Sequence, residues 1–296
     1  MIRLCLWLAV AVALVPPAAR LPTAVVRDGA SADYFTQRFG CTAEEAAKAE
    51  RKLLPSIARR MTRAQADELC SWLQSTLGLS ESELKKLLLR RPPLLGYSVE
   101  TSALKLEWLA SRLALSDAEL KKFVVRQPAV LSYNVETTLE PAFAWLQSRL
   151  DLSMAELRKV LLGNPRLLIQ SIETGLAPKL KWLRIRLHLS ESELSKLVLA
   201  SPPVLTLSIE TNLAPKLDWF EQELGLSVSD VRAKILATPS RLTLSLTNRY
   251  QPRLEVCRAA GADPVLVLNS ASTKDEVFCK RVGVLETLRA AQENVS

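Results

Sequence analysis

The stretch LDLSMAELRKVLLGNPRLLIQSIETGLAPKLKWL, Leu150–Leu183, decides the fold, because it reads as two helices and the joint between them. Ser153 stands where a helix starts, and Glu156 three residues on completes an S-x-x-E capping box. The hydroxyl satisfies one free N–H of the first turn and the carboxylate another. Leu157, Val160 and Leu161 follow at helical spacing and form one apolar stripe. Pro165 ends this helix, since it lacks an N–H and pushes the residue before it out of helical geometry. The P-x-x-L step to Leu168 suits a turn of 3-10 helix. After Ser171–Thr174 a second stripe runs through Leu176, Leu180, Leu183 and Leu187. Pro178 belongs near that helix's first turn, where a missing N–H costs least.

The same phrase recurs. The opening serines are Ser80, Ser116, Ser153, Ser190 and Ser227, at spacings of 36, 37, 37 and 37 residues. Twelve residues after each serine comes a proline (Pro92, Pro128, Pro165, Pro202, Pro239), and three after that a leucine (Leu95, Leu131, Leu168, Leu205, Leu242). The S/N-x-E-T phrase begins at Ser98, Asn134, Ser171 and Ser208 and decays at Ser245. Trp108, Trp145, Trp182 and Trp219 close four of the units. A degraded sixth unit precedes these, with Thr42, Glu45, Pro55 and Trp72 in the same order. A helix pair with one stripe per helix cannot bury that stripe alone, so neighbouring units must stack. The expected fold is all-α, an α-solenoid of helix–helix–3-10 repeats of about 37 residues. Residues 42–262 form the array, 28–41 a linker and 263–296 a C-terminal capping segment.

Composition limits the function. At 296 residues and 48% hydrophobic the chain is long and apolar enough for a large core. The formal net charge of +8 favours a polyanionic partner. Five scattered cysteines form no C-x-x-C pair, and His188 is the sole histidine. That excludes a Cys/His metal centre or a local histidine relay by pattern, and a Gly-rich nucleotide loop is also missing. No catalytic activity, metal or cofactor is expected. The run LCLWLAVAVALV at residues 4–15 has the length of a signal-peptide core and is too short to span a bilayer comfortably. Residues 1–27 therefore read as a targeting leader. Its three arginines and lack of acids mean that removal lowers the charge from +8 to +5. A signal-like core before a basic stretch favours a plastid reached through extra membranes, with a mitochondrion as the alternative. No stable membrane anchor is expected once the leader is gone.

The residues of Leu150–Leu183 resemble the mitochondrial transcription termination factor family, written mTERF: L-x-L-S-x-x-E-L, a proline with its following leucine, then S-x-E-T…P-K-L-x-W-L. The resemblance covers about residues 42–262. In the first full unit Leu104 stands where the second proline belongs, and the terminal units are degraded. The resemblance implies an all-α superhelix with a basic groove for double-stranded nucleic acid, acting in organellar transcription termination or initiation, RNA splicing or ribosome assembly.

Basic residues also hold fixed repeat positions. The fifth and sixth residues after each serine are Lys85-Lys86, Lys121-Lys122, Arg158-Lys159, Ser195-Lys196 and Arg232-Ala233. A third slot, three before the tryptophan, reads Lys105, Ala142, Lys179, Lys216 and Arg253. Twelve of these fifteen positions are basic. In a stacked array each position becomes a line, and lines of cations track a phosphate backbone. All twelve are therefore candidate contacts for nucleic acid; the resemblance puts duplex DNA ahead of RNA, and a monomer is expected. The same slots also fit a solvated helix face with Glu–Lys pairs. The tryptophans read as core rather than stacking platforms, and a protein-binding scaffold remains the alternative of another class.

Overall fold

The computed structural model describes residues 30–58 and 61–283, and the leader expected at 1–27 lies outside them. Among the described residues every regular element is helical. The chain divides into two compact units. One comprises the described residues up to Thr76 together with Ser80–Val99, and the other Leu77–Leu79 together with Glu100 onward.

The first unit starts earlier than its repeat pattern. Residues 28–41, expected as a linker, contain a helix over Ala30–Phe39. Its Tyr34, Phe35 and Phe39 rings pack edge to face or tilted, 6.1–6.2 Å apart, and Tyr34 and Phe35 are buried. The aromatic positions i, i+1 and i+5 give this segment an inward face, and the Tyr34 hydroxyl donates to Asp67 at 2.8 Å. Thr42 then caps helix Ala43–Lys52 through a capping box with Glu45, as its place in the degraded unit predicts.

In the second unit the repeat grammar is realised segment by segment. The first helices of four repeats, Asp117–Arg126, Met154–Gly163, Glu191–Ala200 and Val228–Ala237, each begin with a complete capping box. Each ends at its proline, and a 3-10 turn follows: Pro128–Ser132, Pro165–Ile169, Pro202–Thr206 and Pro239–Thr243. Leu157, Val160, Leu161, Leu180 and Leu183 are fully buried. Successive 3-10 turns stack on one another, and helix Met154–Gly163 packs on Glu191–Ala200, so each stripe is covered by the next repeat.

The second helices hold a feature not read from the sequence. Each S/N-x-E-T serine or asparagine caps the start, as Ser171 Oγ does by accepting from Thr174 N at 3.2 Å. The next five residues then form a π turn: Leu139 N donates to Asn134 O, Leu176 N to Ser171 O, Leu213 N to Ser208 O and Tyr250 N to Ser245 O, at 3.0–3.3 Å. Regular α-helix resumes with Pro141, Pro178, Pro215 or Pro252 in its first two positions. The cause is the proline. It has no N–H for the carbonyl four residues back, and its ring would crowd that carbonyl; a turn widened by one residue clears it.

The first full unit is the natural control. Leu104 replaces the proline there, and helix Val99–Arg112 is α-helical from its start. Ser98 is seven residues from Lys105, whereas Ser171 is eight from Lys179. The 36-residue spacing is thus the repeat without a π turn, and the 37-residue spacing the repeat with one.

Candidate nucleic-acid interface

The three basic slots go to three different environments. The fifth-position residues lie half-buried against the preceding repeat. Lys85 pairs with Glu45 at 3.3 Å, Arg158 with Glu119 at 2.5 Å and Arg232 with Glu193 at 2.5 Å. Lys121 donates to Gly78 O at 2.8 Å, and Ser195, the one uncharged member, donates to Leu150 O at 2.7 Å. The carboxylates paired this way are the acidic ends of capping boxes. Glu45, Glu119 and Glu193 thus serve their own helix start and the next repeat at once. Their carboxyls are held below the usual carboxylate range first by the backbone N–H of Thr42, Ser116 or Ser190, then by side-chain partners that include the basic residue.

The sixth-position residues are the exposed ones. Lys86 in the first unit, and Lys122, Lys159 and Lys196 in the second, face solvent without a hydrogen bond or ion pair. Helical spacing gives the reason. At about 100° per residue the sixth position lies on the face opposite the stripe formed by those at four, seven and eight.

The third slot departs from the expectation of a phosphate-facing line. Lys105, Lys179, Lys216 and Arg253 are between 1% and 8% exposed, as buried as the leucines around them. Lys105 Nζ donates to Leu131 O at 2.6 Å, Lys179 Nζ to Leu205 O at 2.8 Å and Lys216 Nζ to Leu242 O at 2.6 Å. Every acceptor is the P-x-x-L leucine of the next repeat, in the turn that Pro128, Pro202 or Pro239 begins. Arg253 does the same for the chain's last helices, donating to Ser270 O and Thr273 O at 2.6 Å and to Asp275 at 2.7 Å. These cations tie one repeat to the next and do not present their charge at a surface. Burial lowers the lysine pKa values, that of Lys216 to about 8.

A signal for this was present in the sequence. Lys179 falls three residues after Leu176 and four before Leu183, on the stripe rather than beside it. Arg241, just past the linker proline, is likewise buried, its Nε donating to Leu268 O at 2.9 Å. Trp108, Trp145, Trp182 and Trp219 are half-buried, with Trp108 Nε1 donating to Glu140 at 3.0 Å. Among the described residues no Phe, Tyr or Trp side chain is exposed.

A cleft of about 470 Å3 beside Lys196 is lined by Arg149, Asp151, Glu156 and Glu191, among others. Its acids outnumber its bases, so it offers no anion pocket. No group of three or more potential metal ligands occurs among the described residues, and no helix there is long and apolar enough to cross a membrane.

The mTERF family model matches residues 29–279, starting at the helix that precedes the recognisable repeats and ending within the last one. No curated protein matches the chain.

Proposed function

The chain belongs to the mTERF family, and on that premise we propose that it binds duplex DNA in an organelle and regulates its transcription, with termination as the leading role. The observation that carries this reading is the row of exposed, unpartnered lysines at one repeat position, Lys122, Lys159 and Lys196. Phosphate contacts of this kind position a protein on nucleic acid without reading bases. Duplex is favoured over single strands because unstructured strands are held largely by stacking on exposed aromatics, and the aromatic side chains here are packed into the repeats. The interface is accordingly narrower than twelve residues: the sixth-position lysines bear on phosphate, while the other eight hold the array together. The signal-like run at residues 4–15 favours a plastid as the organelle.

The test is binding to duplex DNA and duplex RNA titrated against salt. Log affinity falls with log salt by about 0.9 per phosphate contacted on B-DNA, so K122Q/K159Q/K196Q should reduce the slope by about 3. An unchanged slope in a folded triple variant overturns the assignment. Equal losses on both duplexes would move the reading to backbone recognition shared by DNA and RNA.

A further inference from the structure

The cation ties are not uniform along the second unit, and the exception falls in one place. At three joints a buried basic side chain bonds the following segment: Lys105 to Leu131 O, Lys179 to Leu205 O and Lys216 to Leu242 O. At the joint between them the slot holds Ala142, buried at 2% exposure, and no side chain donates to the equivalent carbonyl of Leu168. The same turn carries a second irregularity. Gln170 stands where the other repeats have Tyr97, Tyr133, Leu207 and Leu244, and its buried Oε1 accepts no hydrogen bond. Gly175 in the following π turn adds backbone freedom that the equivalent Asn212 does not have.

On the opposite side the joint is closed. Arg158 donates to Leu113 O at 3.0 Å and to Glu119 at 2.5 Å, which locks the first helices of the two repeats together. The next joint is tied on both sides: Ser195 replaces the arginine there but keeps the bond to the equivalent carbonyl, Leu150 O, at 2.7 Å, and the lysine tie is present.

We propose that the joint at Ala142 is a built-in hinge: the repeats on either side open at the turn Pro165–Ile169 while the Arg158–Glu119 pair holds the first helices as the pivot. A tie removed from one layer and kept in the other gives a two-layer array a direction of bending. Packed layers elsewhere resist it, because opening would break a buried charge-assisted bond. The inference concerns the array itself and stands whether the ligand is DNA, RNA or protein.

Hydrogen–deuterium exchange by mass spectrometry on the full chain tests it, comparing the equivalent segments 165–172, 202–209 and 239–246 after correction for intrinsic rates. The first should exchange about tenfold faster or more, the ratio expected when a buried bond to the turn is missing. K179A should raise 202–209 to the rate of 165–172, and A142K should slow 165–172 toward its neighbours. Equal exchange of the three segments in the unaltered protein overturns the hinge. A folded K179A variant that leaves 202–209 protected overturns it too, and that measurement stands even if A142K fails to fold.

Discussion

Lys216 offers the sharpest test of how these repeats are joined. Its ammonium is 1% exposed and donates to Leu242 O at 2.6 Å and Asn212 Oδ1 at 2.9 Å. Burial lowers its pKa from 10.5 to about 8. In the unfolded chain the lysine keeps its proton to about 10.5, so between about 8 and 10.5 the unfolded state binds more protons. Stability therefore rises with pH across that window. The gap corresponds to about 3 kcal/mol, the order of the cost of holding the charged form at neutral pH.

Lys216→Met keeps the length and removes both the charge and the donor. It strands the Leu242 carbonyl at a cost of about 1–3 kcal/mol while relieving the desolvation. At pH 7 the two effects oppose each other, and the variant should lie within about 2 kcal/mol of the parent. By pH 10 the relief is gone, and the parent should gain about 3 kcal/mol relative to the variant. Urea unfolding at pH 7, 8, 9 and 10 measures the difference, with equal m-values required for the comparison. Taking the difference cancels the cysteine and tyrosine titrations common to both chains. A difference that stays flat over this range would refute the reasoning, because it would mean that the carbonyl bond fully offsets the loss of water.

Three further outcomes follow from the joints. Deleting Gly175 alone returns the third repeat to the 36-residue register with Pro178 kept, and it should cost about 3 kcal/mol more than the deletion combined with Pro178→Leu, which reproduces the first full unit; urea midpoints of the two variants decide this. Arg253→Met strands the Ser270 and Thr273 carbonyls and should make helix Asp275–Val282 the first site of tryptic cleavage. In the parent, Arg253 also holds the Asp275 carboxyl below its ordinary 3.8, so the stabilisation from that pair is present above this value and is lost as pH falls below it; Asp275→Asn should abolish the acid-dependent part of the protection.

Much of the architecture was legible in residue spacing. The capping boxes at Ser80, Ser116, Ser153, Ser190 and Ser227 lie where the S-x-x-E pattern puts them, because a cap is a contact across three residues. The prolines end their helices for an equally local reason. The helix at Ala30–Phe39 was missed because its burial depends on aromatic packing with no repeat to announce it. The π turns were hidden in a one-residue difference of spacing, visible as 36 against 37 but mute about where the extra residue goes.

The candidate interface was the least legible part. Lys159 and Lys179 are both lysines at conserved repeat positions within this one chain, yet Lys159 faces water and Lys179 lies on the leucine stripe. The sequence by itself determined the repeat, its helix starts and stops, and the number of cations per unit, since these are set by contacts within a few residues. Only the tertiary structure decided which cations remain free. A lysine's charge is spent or kept according to what lies at the end of its side chain, and for Lys105, Lys179 and Lys216 that is a carbonyl 26 residues away, brought into reach by the stacking of the next repeat.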